Sequence, residues 1–308
     1  MRIFFIALIA LLCFKTFSAD AQSIEQIKTS IDNEVLNLKK GNFFQTSIFH
    51  FDSINEKVLL NYLAKYETEP LLKVKFRISG LIFQIGLSSS DSSVRKQAVE
   101  ELLTIAKNSD FAMQDDISEK LSYFHNRDYS SKAKGLMIEL FSSNKYSNKF
   151  LLACGIAELN EIKPQIKLLA DNFSRIKENC FISIEWYACL AITRMGATEK
   201  IDNIISAIEL ELNPNIRIQT LLIHAAYTQN IDCLQLLEKY LFSTEKIPGY
   251  DGRPGIEYSK FALDYLVKYV DDFSIGIKSS SVNEYTDEQI MAAQRYLAFY
   301  IKDKRNNN

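Results

Sequence analysis

The chain has 308 residues, with 36 Lys and Arg against 38 Asp and Glu, a formal net charge of −2. The two signs are interspersed without a block of either, which excludes the basic footprint on which nucleic-acid binding depends. A hydrophobic share of 47% is ample for a core, and 5 Pro with 10 Gly is a low content of chain breakers.

Residues 1–21 read as a secretory signal peptide. Arg2 supplies the positive start, Ile3 to Phe14 the apolar run, and Ala19-Asp20-Ala21 a small-x-small cleavage pattern before Gln22. The apolar run falls short of the ~18 residues a membrane-spanning helix needs, and no other stretch approaches that length. The mature chain is therefore expected to have no transmembrane segment and to be secreted or periplasmic. Leu12 stands where a lipoprotein wants a small residue before Cys13, which argues against a lipid anchor.

About fourteen helices are predicted from there. Ser23 and Gln26 make a capping box, after which Ile24, Ile27, Ile31, Val35 and Leu38 line one face until Gly41 ends the helix. Residues 41–52 are the least helical stretch, and 22–69 read as an N-terminal helical cap. Ser53 and Glu56 open a second helix to about Tyr66, and Pro70 is expected at the first position of the next. Helices then follow at 71–87, 92–108, 115–125, 130–143, 146–160, 162–173, 178–195, 198–212, 214–228, 231–242 and 257–272. A C-terminal helix over 278–302 and a short polar tail close the chain. Pro164 and Pro214 fit first turns, and Gly196 fits a helix end.

Similar spacings recur along these helices. Val94, Ala98, Leu102 and Ile105 fall on one face, and Ile184/Ala188/Ile192 is matched by Ile216/Thr220/Ile223 about 32 residues on. Repetition at that interval signals hairpins that bury their apolar faces only by stacking. The stretch Asp91-Ser92-Ser93-Val94-Arg95 with Ala98 and Leu102 resembles the second helix of a HEAT repeat. Trp186 to Ile192 with Met195-Gly196-Ala197 resembles the HEAT-like repeats of phycobilisome lyases. The resemblance covers about 70–277. It implies an all-α fold, a right-handed α-solenoid of stacked antiparallel hairpins. Glu185 stands where Arg is usual and His224 where Leu is usual.

Little in the chain points to catalysis. His50, His125 and His224 are scattered without metal-ligand spacing, and no serine sits in a glycine-framed elbow. Asp115-Asp116 read as favourable charge at a helix N-terminus, and Asp271-Asp272 as solvated. Cys154, Cys180, Cys189 and Cys233 are expected as buried thiols: Cys154 and Cys189 would lie one helix spacing apart, beyond the ~7 Å limit for a bridge, while a Cys180–Cys233 bridge stays open. No metal or cofactor is expected.

The site expectations follow from the architecture. Pro248 to Gly255 holds a cluster of prolines and glycines in a long connection, with Tyr250 and Arg253 as contact residues. Trp186, the one tryptophan, reads either as an anchor on the inner surface or as packing between repeats. Arg77 and Arg95 come from neighbouring helices near the N-terminal end. Arg and aromatic side chains dominate interface energies, so these five are the candidate binding residues, with Trp186, Tyr250 and Arg253 on one side. The leading functional expectation is an exported, non-enzymatic scaffold for a protein or peptide. The rivals are a lyase or chaperone-like protein of the phycobilisome-lyase type, and a structural subunit of an envelope complex.

If the leader is cleaved as read, mass spectrometry of the exported protein finds Gln22 at the N-terminus. Intact Met1 in a cytosolic pool would contradict it.

Overall fold

A computed structural model describes residues 23–42, 56–174, 180–249, 254–270, 273 and 282–307. The described residues are all-α apart from one pair of two-residue strands, and they divide into two compact units, Met1–Ile105 and Ala106–Asn308.

In the first unit, α1 (Ile24–Lys39) begins at the Ser23–Gln26 capping box, observed in both directions. It ends at Gly41, whose φ of +83° only glycine adopts cheaply. The Gly41 N–H meets Leu38 O and the Asn42 N–H meets Asn37 O, the two bonds of a Schellman ending. After α2 (Glu56–Leu63) a 3₁₀ turn carries the chain to Tyr66. Ser53 and most of the 41–52 segment lie outside the described residues. α3 (Leu72–Ser88) starts two residues later than Pro70 predicts, so the proline sits before the cap at Leu71 rather than in the first turn. In α4 (Ser92–Lys107), Val94, Ala98, Leu102 and Ile105 are all buried on one face as the spacing predicts.

The second unit opens with α5 (Phe111–Leu121), four residues earlier than predicted, because the Asp110 side chain caps it by accepting from the Met113 N–H at 3.1 Å. Asp115 and Asp116 therefore lie in the second turn, where they bind lysines instead of complementing the dipole: Asp115 meets Lys149 and Asp116 meets Lys120. There follow α6 (Ser131–Ser142), α7 (Phe150–Ile156), α8 (Lys163–Asp171), α9 (Ile184–Arg194) and α10 (Ile201–Glu209). A π-helical turn, Ile216–Leu221, then leads into α11 (Leu222–Thr228). Its wider winding rephases the segment: Ile216 and Thr220 are exposed, and Ile218, Leu221, Leu222 and Ala225 are buried. The proposed match of Ile216/Thr220/Ile223 to Ile184/Ala188/Ile192 is overturned by that shift. α12 (Ile231–Leu241), the strands β1 (Lys246–Ile247) and β2 (Ile256–Glu257), α13 (Tyr258–Tyr269) and α14 (Asp287–Asn307) complete the unit. The stretch read as a polar tail continues α14, so Lys302 to Arg305 are helical.

Packing in this unit follows a simple order. α5 packs on α7, α7 on α9, α9 on α11 and α11 on α13, while α10, α12 and α14 form a second succession beside them. Polar bonds between residues 30 to 36 positions apart recur in both units. Asp32 gathers Tyr62, Lys65 and Tyr66; Asn61 binds Gln97; Lys107 binds Glu139; Lys167 binds Glu199; and Arg194 donates to the Tyr227 carbonyl.

The tightest point is Gly155 in α7. A Cβ there would collide with the Tyr227 hydroxyl and come within 2.9 Å of Ala191 Cα in α9. The Tyr227 hydroxyl itself reaches across from α11 to donate to the Leu152 carbonyl at 2.8 Å. Gly155→Ala should thus cost about 1–3 kcal/mol through overpacking, read as a lower urea midpoint. An unchanged midpoint would mean the α7–α9 approach is looser than described.

Candidate functional site

Of the five side chains the sequence singles out, none is placed as an accessible anchor. Tyr250 and Arg253 lie outside the described residues. Trp186 is fully buried, because α9 is covered by α7, α8 and α11 together. Phe173 and Phe181 pack on its ring, and its indole N–H donates to His224 Nδ1 at 3.2 Å. The packing reading of Trp186 therefore stands, and the ligand-facing one is corrected.

Arg77 is likewise committed. Its Nε donates to Glu34 at 2.6 Å with both side chains largely buried, so the guanidinium bonds α3 to α1. Arg95 is half-buried and donates to the Ser89 carbonyl, closing the turn between α3 and α4. In both cases an arginine that reads as a contact residue serves the interior of its own unit.

The long connection does shape a surface feature. β1 and β2 pair antiparallel, Lys246 opposite Glu257 and Ile247 opposite Ile256, with a Lys246–Glu257 ion pair at 3.2 Å. Gly255 passes so close to the Ile247 carbonyl that a Cβ would strike it, which explains a glycine at that position. Beside the hairpin lies a depression of about 710 Å³, lined by Gln219 of the π-helical turn, Lys246, Pro248, Gly249, Lys260 and Asn283 among others.

A second constellation lies along the row α5–α7–α9–α11–α13. On α5, Asp115 and Glu119 both accept from Lys149, at 3.1 and 2.9 Å, just before α7. Burial opposes the charge on Lys149, but these two carboxylates outweigh it and hold the ammonium well above its ordinary pKa. On α9, Tyr187 packs edge-to-face on the His224 ring of α11, centroids 6.1 Å apart. Burial, aided by the nearby Lys268, lowers His224 to about 3, so the ring is neutral at any physiological pH. With Nδ1 accepting from Trp186, its proton is on Nε2. On α13, Lys268 lies 3.7 Å from the Tyr123 ring centroid and 5.0 Å from that of Tyr269. Burial lowers its amine to about 8 against the opposing pull of Asp264 and Glu119.

Of Lys149, Tyr187, His224 and Lys268, the sequence marks only His224, which stands where the resemblance expects Leu. Tyr187 is hidden inside an apolar run, and Lys149 and Lys268 look like ordinary surface lysines. Their spacing of 38, 37 and 44 residues is the signal that finds them, and the hairpin lies in the longest step. Among the described residues no three His, Cys, Asp or Glu side chains are grouped to hold a metal ion. Cys154, Cys189 and Cys233 are free and buried, Cys180 is buried too, and burial pushes the Cys189 and Cys233 thiols up to about 12 and 11, which keeps them protonated and inert. No protein family, curated protein or solved structure matches this chain.

Removing Arg77 would take from buried Glu34 the guanidinium that bonds it at 2.6 Å. Arg77→Ala should lower stability by about 3–5 kcal/mol, measured by urea denaturation. A loss below ~1 kcal/mol would return Arg77 to the surface role its sequence context suggests.

Proposed function

We propose that the protein is an exported, non-enzymatic α-solenoid scaffold that holds a protein or peptide along the row of helices from α5 to α13. The observation that carries the reading is the successive packing of those five helices, joined by polar bonds that recur about one hairpin apart. Such a row presents one side chain set per repeat to a partner lying across it. Lys149, Tyr187, His224 and Lys268 are that set here. The hairpin depression closes the row at its α13 end with backbone and lysine groups of its own.

Side-chain character supports binding over catalysis. The histidine is held neutral, the Cys154, Cys189 and Cys233 thiols are held protonated, and Asp115 and Glu119 of α5 are paired with Lys149. None of these is poised as a nucleophile or a general base near neutral pH.

The full chain, purified from the exported fraction, should retain a polypeptide in stoichiometric amount. Photocrosslinkers placed at Glu119 and Lys149 should trap it, and the same probe at exposed Leu168 should not. A bound absorbing pigment would favour the lyase reading instead, and crosslinks confined to Leu168 would overturn the assignment of the row.

A further inference from the structure

Three hydrogen-bonding groups on consecutive members of the row have no internal partner among the described residues. Tyr187 is a buried residue, yet its hydroxyl meets no donor or acceptor. His224 commits Nδ1 to Trp186 and leaves Nε2–H unmatched. Lys268 makes no hydrogen bond and no ion pair, and rests only on the faces of Tyr123 and Tyr269. None of the three groups is sealed from solvent, since the enclosed unsatisfied atoms are found on Ser147, Asn215 and Arg217.

The neighbouring carboxylates do not fill this gap. Asp264, one turn before Lys268 on α13, accepts from the Tyr285 hydroxyl at 3.1 Å. Glu119 on α5 is paired with Lys149 at 2.9 Å. A half-buried ammonium without a direct ion pair is costly, and aromatic faces offset that cost only in part. The Tyr187 and His224 rings lie 6.1 Å apart and Lys268 is near enough to act on the imidazole; an ammonium, a neutral imidazole N–H and a phenol as neighbours form a set of donors, and a set of donors suits an anionic acceptor.

We propose that Tyr187, His224 and Lys268 form a recognition site for a single carboxylate carried by the bound polypeptide. Lys268 supplies the charge, and the Nε2–H of His224 and the hydroxyl of Tyr187 supply neutral hydrogen bonds. The carboxylate is the shared chemistry of a chain terminus and an acidic side chain. The inference rests on the reading that a polypeptide lies along this row.

The groups facing Lys268 are Glu119 of α5, Tyr123, His224 of α11, and Asp264 and Tyr269 of its own helix. His224 does not titrate near neutral pH, so the amine alone sets the dependence on alkali. Carboxylate affinity should fall as pH rises through about 8, where Lys268 loses its proton.

The test uses the full mature chain and four probes: acetyl-Ala-Ala with a free carboxylate, acetyl-Ala-Glu amide, acetyl-Ala-Ala amide and inorganic phosphate. The readouts are the His224 imidazole resonance and the titration of the Lys268 amine by NMR. One or both carboxylate probes should shift the His224 signal saturably and raise the Lys268 titration point, and which of the two does so identifies the source. Lys268→Met and Tyr187→Phe, which keep the packed bulk, should each weaken that binding about tenfold with an unchanged melting curve. Equal response to the amide or to phosphate, no saturable response, or full affinity in both folded variants would overturn the proposal. Carboxylate binding without capture of any polypeptide would leave the site standing and remove the scaffold reading. Capture with no carboxylate response would do the reverse.

Discussion

The second unit depends on the complete enclosure of α9. Every residue from Trp186 to Thr193 is buried, which requires neighbours on all sides, and α7, α8 and α11 provide them. The approach of α7 is close enough that Gly155 is the only residue type that fits against Ala191. Tyr227 then bridges over the junction from α11 to the Leu152 carbonyl, so three successive helices are joined at one place. The chemistry of the interior follows from that closeness: Cys154 and Cys189 are shut in and stay protonated, and Trp186 has no path to a partner.

Helix ends in this unit are tied by side chains from neighbouring helices as well as by local caps. Arg194 reaches from α9 to the Tyr227 and Tyr269 carbonyls, at the ends of α11 and α13. Lys163 donates to Met195 at the end of α9, and Gln294 to Leu241 at the end of α12. These donors satisfy carbonyls that a helix leaves orphaned. The exposed ion pairs at similar separation, such as Lys167–Glu199 and Lys107–Glu139, contribute little energy each, about 0–1 kcal/mol. Their regularity reflects register, which the apolar packing sets. Glu34–Arg77 differs, since burial makes the loss of either partner expensive.

The unmatched groups on Tyr187, His224 and Lys268 are set apart from the enclosed unsatisfied atoms of Ser147, Asn215 and Arg217 by lying together on successive helices. The same helices that bury Trp186 turn its indole N–H toward His224, and that single bond fixes which imidazole nitrogen carries the proton. Packing thus determines the polarity of a surface it does not itself form. The hairpin adjoining α13 adds a second concavity, where Gly255 lets two strands cross close to the π-helical turn.

Periodicity and chain punctuation were enough to determine that the protein is helical and where many helices begin and end. Ser23 with Gln26, Gly41 and Gly196 act through bonds to residues within one turn, so their meaning is local and readable. The face of α4 was legible for the same reason, as 3.6-residue spacing needs no partner to be seen. The start of α5 is less legible because Asp110 caps it with Met113, not Glu or Gln, three residues on, and the phase of 216–223 because a π-helical turn carries no apolar signature. What Arg77, Trp186 and Lys268 do was decided by tertiary structure alone. Each is a side chain of fixed chemistry whose role depends on what a distant part of the chain, 43 residues away for Glu34, 38 for His224 and 145 for Tyr123, places against it. Local sequence sets the conformation of a segment; only the folded chain brings together the dielectric, the counter-charge and the hydrogen-bond partner that turn a residue into an anchor, a strut or a recognition group.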